Sequence, residues 1–182
     1  FPTLPVGDYT LSVQVPGFSP FRLEGIHLDA DQKRETTVTL TISQASQSIE
    51  VKEAFTQVDT SGGTLRNIVD ERRINDLPLN GRNPLQLQLV VPGAVPNNSL
   101  AVSLSQNNPV SVNGSRGNEN NYLLDGGDNN DPLTNSPSLV PNPDALEEFS
   151  ILTSSYSAEY GRNSGAVVNA ITKSGSNELH GS

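Results

Sequence analysis

The chain reads as an α+β domain preceded by part of an antiparallel β-sandwich, and three features of its 182 residues point there. Residues 7 to about 42 alternate apolar and polar side chains with period two, the pattern of strands with one buried face. Short helical start signals follow only beyond a polar stretch in the middle of the chain. With 15 glycines and 13 prolines, the composition suits one or two small domains with many turns.

In the first stretch Tyr9, Leu11, Val13 and Val15 alternate with polar residues, Pro16-Gly17 makes a turn, and Val38, Leu40 and Ile42 alternate with threonines. That is antiparallel β with one wet face. Residues 1–46 are assigned to this sandwich remnant, which is thin because so few residues bury little surface. The start at Phe1-Pro2-Thr3, with no secretory leader, reads as that of a mature or excised fragment, so the module is expected to begin upstream.

The polar stretch that begins at residue 43 ends in Gly62-Gly63, and residues 47–63 read as a linker. It carries one strand-like piece, Ser48-Ile49-Glu50-Val51-Lys52. Beyond it, Asp70 can cap "ERRINDL", and Asn83 before Pro84 gives an N-cap with proline at the first helical position. Helical spacing then places Leu85 and Leu89 on one face, and Pro92-Gly93 closes the segment. Residues 94 to 143 are loop-like and rich in Asn, Ser and Pro, interrupted by candidate strands at Val110-Ser111-Val112 and Tyr122-Leu123-Leu124. A helical turn in "DALEEF" is expected to lead into a strand at Ser150-Ile151-Leu152, and residues 166 to 172 supply the last strand.

Charge and residue types exclude several functions. A formal net charge of −9 leaves no basic stripe to displace counterions from phosphates, so nucleic acid is not an expected partner, and acidic partners are disfavoured. There is no cysteine, hence no disulfide, thiol chemistry or zinc ribbon. No run of 18 apolar residues could span a membrane as a helix, and no series of amphipathic strands follows residue 100 as a membrane barrel would need. The two histidines, His27 and His180, have no metal-ligand or nucleophile-base company. Ser115 in "NGSRG" lacks the strand-elbow-helix setting of a hydrolase nucleophile. Glu147 and Glu148, being adjacent, point different ways and cannot work as an acid-base pair. No cofactor is implied, the chain is not expected to be an enzyme, and the sequons at Asn97 and Asn113 are chance matches in asparagine-rich loops.

"NNYLLDGGDNNDP", residues 120 to 132, holds three aspartates, four asparagines and two glycines around a short apolar run. Asp125, Asp128 and Asp131, with Asn129 and Asn130, could offer hard oxygen ligands to calcium. No register satisfies an EF-hand loop, and a solvated Asx-rich turn at a strand end is the simpler reading.

Three stretches carry a resemblance to a known family. "LPLNGRNPLQLQLVVPGA" (77–94), "VNGSRGNENNYLLDGGDNND" (112–131) and "EEFSILTSSYSAEYGRNSGAVVNAITKSGSNELHGS" (147–182) resemble, in order, the motifs of the plug domain of TonB-dependent outer-membrane transporters. The variant is most similar to the large Oar-like receptors, which carry a carboxypeptidase-regulatory-like β-sandwich ahead of the plug, and "LPVGDYTLSVQVPGF" (4–18) resembles the end of such a sandwich.

The resemblance implies that residues 64–182 are a plug domain, a small mixed sheet with short helices and long loops. It would sit inside its own C-terminal β-barrel in the outer membrane, with the N-terminal module periplasmic. TonB would pull the plug to admit a transported substrate. Leu124-Asp125-Gly126 matches the usual "IDG" turn, and the acidic, amide-rich residues after it would extend toward ligand or barrel wall. Arg82, Arg116, Asp125, Gly126 and the "EYGR" run Glu159-Tyr160-Gly161-Arg162 are the candidate plug-motif and barrel-contact residues. Gly161, Gly165 and Gly175 are expected at close backbone approaches or positive-φ turns. Ser48, Ile49, Glu50, Val51 and Lys52 are candidates for TonB contact by strand addition, or else the final strand of the sandwich. A soluble or surface β-rich binding or adhesive module is the alternative reading; it would bind its ligand without a barrel.

Overall fold

A computed structural model describes residues 4–30, 32–42, 63–97, 110–161, 163–175 and 177, together with the backbone of 49–52. The chain divides into two units, Phe1–Gly62 and Gly63–Ser182. No helix among the described residues is long and apolar enough to cross a membrane.

In the first unit the predicted alternation makes β1 (Gly7–Val13) and β2 (Phe21–Leu28), an antiparallel pair running from Gly7 opposite Leu28 to Val13 opposite Phe21. The register slips between Tyr9 and Leu11, where Gly25, at φ 78°, provides the left-handed backbone that such a bulge needs. β3 (Ile49–Lys52) then adds parallel to β2, giving the strand order β1-β2-β3. Two expectations change here. The described residues form one mixed sheet, and Val38–Ile42 is not a strand: its backbone is held by the bridge between Phe18 and Ile42 and by Ser19 N–H donating to Thr41 O. Val38 and Leu40 are still half-buried between exposed threonines, so the alternation reported which side chains face inward, not whether the backbone finds a ladder.

The second unit is built on β4 (Leu65–Asp70), β5 (Ala94–Pro96), β6 (Val110–Val112), β7 (Asn121–Leu124), β8 (Gly127–Asp128), β9 (Leu146–Ser154) and β10 (Val167–Thr172). Five of them form one sheet in the order β4-β9-β10-β7-β8, and β5 pairs with β6 in a small ribbon. Only β10 and β7 run parallel in the five-stranded sheet, so it is mixed, as expected. β9 is laddered on both sides, and alternating residues bury on opposite faces: Phe149 and Ile151 with Val69, Val168 and Ala170, and Glu148, Ser150 and Leu152 on the other. Tyr122 of β7 extends this apolar face, and against it pack Ile74, Leu85, Leu87 and Val91, each such burial contributing about 1.5–3 kcal/mol.

The helical pieces are short and capped as the sequence predicts. Asp70 accepts the Arg73 amide at 2.8 Å to start α1 (Glu71–Asp76), which buries Ile74. Asn83 accepts the Leu85 amide at 3.0 Å to start Pro84–Val90, but this segment is a 3₁₀ helix. With three residues per turn, Gln88 and not Leu89 falls in line with Leu85, so Gln88 is fully buried and Leu89 is 40% exposed. The helical turn expected in "DALEEF" is confined to Pro143–Ala145, because residues 146 to 149 are taken into β9 by pairing with β10 and β4.

Candidate functional site

The asparagine- and aspartate-rich segment, read as a loop at a strand end, is a hairpin with a laced extension. β7 and β8 meet across Leu124 and Gly127, with Asp125 (φ 50°) and Gly126 (φ 77°) as the two central residues. Two successive positive-φ residues define the type I′ hairpin turn, for which Asp-Gly is among the preferred pairs. Asp125 is tied to the neighbouring strand: its Oδ1 accepts the Thr172 amide at 2.8 Å, its Oδ2 accepts the Thr172 hydroxyl at 2.9 Å, and its own amide donates to Ala170 O at 2.9 Å. The Gly126 amide donates to Asn169 Oδ1 at 3.2 Å.

Beyond β8 the side chains fold the backbone onto itself. Asp131 Oδ1 accepts the amides of Leu133 (3.0 Å) and Thr134 (2.8 Å) and the Thr134 hydroxyl (2.9 Å). Those donors, the Thr134 amide first, lower its pKa. Asn129 is bonded both ways to the backbone of Leu139, with Nδ2 to the carbonyl at 2.8 Å and Oδ1 from the amide at 3.0 Å. Asp128 Oδ1 accepts from the Asn130 amide and side chain. The three aspartates therefore turn to three separate sets of donors, and no group of three or more acidic or histidine ligands forms among the described residues. In this structure each of the Asp125, Asp128 and Asp131 carboxylates is engaged by donors of the protein itself, as in the Asx-rich turn read as the simpler alternative to a calcium loop.

Below the hairpin lies a buried amide network that the sequence reading missed. Asn120 is fully buried; its Nδ2 donates to Val110 O at 2.6 Å and to Tyr122 Oη at 3.3 Å, and its Oδ1 accepts the Ala166 amide at 2.9 Å. Asn121 donates to Tyr160 O at 2.6 Å and accepts from Asn130 at 2.7 Å. Asn135 and Asn163 both reach Asn120 O. Burial pushes the Tyr122 hydroxyl pKa up. Because irregular backbone cannot satisfy itself, these amides supply the missing partners. The only visible signal was the density of asparagine, and that does not reveal which ones are interior.

The predicted motif residues fall in several places. Arg82, at φ 55° just after Gly81, directs its guanidinium to Asp144 at 2.5 Å, an exposed pair within the domain. Arg116 opens a turn: its amide donates to Glu119 Oε2 at 2.9 Å while the Glu119 amide returns to Arg116 O at 3.0 Å. The Arg116 amide, then the Ser164 hydroxyl, lowers the Glu119 pKa. Glu159, Tyr160 and Gly161 form and close the 3₁₀ turn Ala158–Tyr160, with the Tyr160 carbonyl held by Asn121. Arg162 and Ser48 lie outside the described residues, and of Ile49, Glu50, Val51 and Lys52 the backbone occupies the outer place in the β1-β2-β3 sheet.

Among the three glycines singled out, Gly165 alone is required by space. A Cβ there would meet Asn120 Oδ1 and would lie 2.8 Å from Glu119 O. At Gly161 the nearest atom is 3.7 Å away, and at Gly175 nothing lies within 4 Å. Neither shows a positive φ, so no turn conformation demands glycine there.

With this geometry in view, the relatives are consistent. Residues 56–168 match the family model described as TonB-dependent Receptor Plug Domain. The TonB-dependent transporter Oar of Myxococcus xanthus is 31% identical over 189 residues, covering 100% of this chain and 17% of that protein. The chain thus spans a small part of the length of the curated relative it matches. Among solved structures, the outer membrane transporter YddB from Escherichia coli aligns with a TM-score of 0.52 at 19% identity, over 60% of this chain and 17% of that one. The siderophore receptor PirA from Acinetobacter baumannii aligns with a TM-score of 0.50 at 25% identity, over 62% of this chain and 18% of that one.

Proposed function

Because this chain belongs to the TonB-dependent receptor plug domain family, we propose that it is the plug of an outer-membrane receptor, filling that receptor's own C-terminal barrel and yielding when TonB pulls on it. The match over residues 56–168 carries this reading. The function is gating, and no covalent chemistry enters it.

The geometry suits a plug. A gate inside a wide barrel meets a wet lumen and needs loops that keep their shape without long regular elements. The Asn and Asp side chains that lace residues 118 to 142 supply that shape from within the domain. In this reading the turns after β8, with Leu133 91% exposed, reach toward the transported substrate or the barrel wall. Arg116 and Arg162 are candidates for pairing with barrel carboxylates, and Arg82 has Asp144 to exchange for such a partner.

TonB needs an extended segment to which it can add a strand. Ile49–Lys52 meets the backbone requirement, being an outer strand ahead of the plug, and release from β2 would free it. Deleting residues 47–52 in the full receptor is expected to abolish energised uptake and leave substrate binding intact. Uptake at the wild-type rate in that variant would sink the assignment.

A further inference from the structure

The parallel pairing of β10 with β7 ends at Ala170 opposite Leu124, where β7 turns into the hairpin. Past that point an amide on this side of β10 has no strand left to donate to and needs another acceptor. Asp125 supplies it, and grips the same residue twice: Oδ1 takes the Thr172 amide at 2.8 Å and Oδ2 takes its hydroxyl at 2.9 Å. The next residue continues outward in two directions. Lys173 N–H donates to Ala145 O at 2.9 Å, and Lys173 Nζ pairs with Glu71 Oε1, in the first turn of α1, at 2.6 Å.

We propose that Asp125 is a positioning residue whose clasp on Thr172 fixes the end of β10, and thereby joins the β7–β8 hairpin to α1 through Lys173. A simpler role, that of a residue tolerated at positive φ, explains the turn but leaves the carboxylate's two bonds to Thr172 idle. Glycine would hold φ 50° more easily than aspartate, so a turn that needed only conformation would be served better by Gly. The carboxylate is what glycine cannot provide. The clasp would carry a displacement of the hairpin to α1 and β4, the part of the plug that follows the linker. That use rests on the gating reading; the contact itself does not.

Amide hydrogen exchange, read on the protein without substrate or TonB, separates the two. In Asp125→Gly the hairpin amides of Gly127 and Asn129, the latter donating to Tyr122 O at 3.0 Å, are expected to keep wild-type protection, while those of Thr172 and Lys173 exchange about tenfold faster. Asp125→Asn, which keeps an oxygen for the Thr172 amide, is expected to recover most of that protection. Thr172→Val, which removes only the hydroxyl bond, should cost about threefold. Unchanged Thr172 exchange in Asp125→Gly, or Asn behaving like Gly, overturns the clasp. Combining Asp125→Gly with Glu71→Gln tests its reach: protection of the Ile74 amide should respond non-additively, and strict additivity removes the connection to α1. A failed clasp would leave the uptake experiment untouched, so the two readings fail separately.

Discussion

Gly165 shows what one missing side chain does in this domain. Its Cα sits against the Glu119 carbonyl and the amide of Asn120, which is itself buried and committed to Val110 and Ala166. Gly165→Ala must push on backbone that has no room to give, and is expected to destabilise the second unit by about 1–3 kcal/mol in urea unfolding. A loss below about 0.5 kcal/mol would show that the loop relaxes freely. Residues whose partners are near in sequence were legible: the Asp70 and Asn83 caps and the Asp125-Gly126 turn are all local chemistry. Asn120 was not, because its Oδ1 partner, Ala166, is 46 residues away and nothing local distinguishes it from exposed Asn118 two residues earlier.

At the scale of elements, α1 is too short to persist by its own propensity, so its cap and its one buried face decide it. Asp70→Ala is expected to cost about 1 kcal/mol, measured as a shift in the unfolding midpoint with unchanged slope. A midpoint equal to wild type would mean that packing of Ile74 alone holds the helix. Element type was readable at β1, where Tyr9, Leu11 and Val13 alternate with polar residues, and at β10, but the equally plain alternation at Val38–Ile42 gave no strand. Periodicity also failed where tertiary pairing intervened. Leu146 to Phe149 carry a helical pattern, yet strands on both sides claim them for β9, and the choice between α and 3₁₀ geometry at Pro84–Val90 reversed which of Gln88 and Leu89 is interior.

For the whole molecule, acidity and stability are linked through the loops. Hydrogen bonds hold the pKa values of Glu119 and Asp131 below the ordinary carboxylate range. A carboxyl depressed in the folded state contributes stability that is complete above its unfolded pKa, near 4, and is lost as pH falls through the folded one. The urea midpoint of the second unit is therefore expected to fall between about pH 5 and pH 3, and the Glu119→Gln, Asp131→Asn double variant should flatten that fall. A drop of equal size in the double variant would assign acid sensitivity to other carboxylates.

The order β4-β9-β10-β7-β8 also has a consequence for biogenesis. Leu65 finds its strand partner some 88 residues later, near Thr153, and the one parallel pair joins β7 to a strand still further along the chain. Strands with distant partners close late and slowly, because loop entropy is spent before the ladder repays it. During synthesis β4 stands as an unpaired edge, with Leu65 turned outward, until β9 has been made. A chain of this topology is most open to strand-by-strand association at β4, in the interval before β9 has been made.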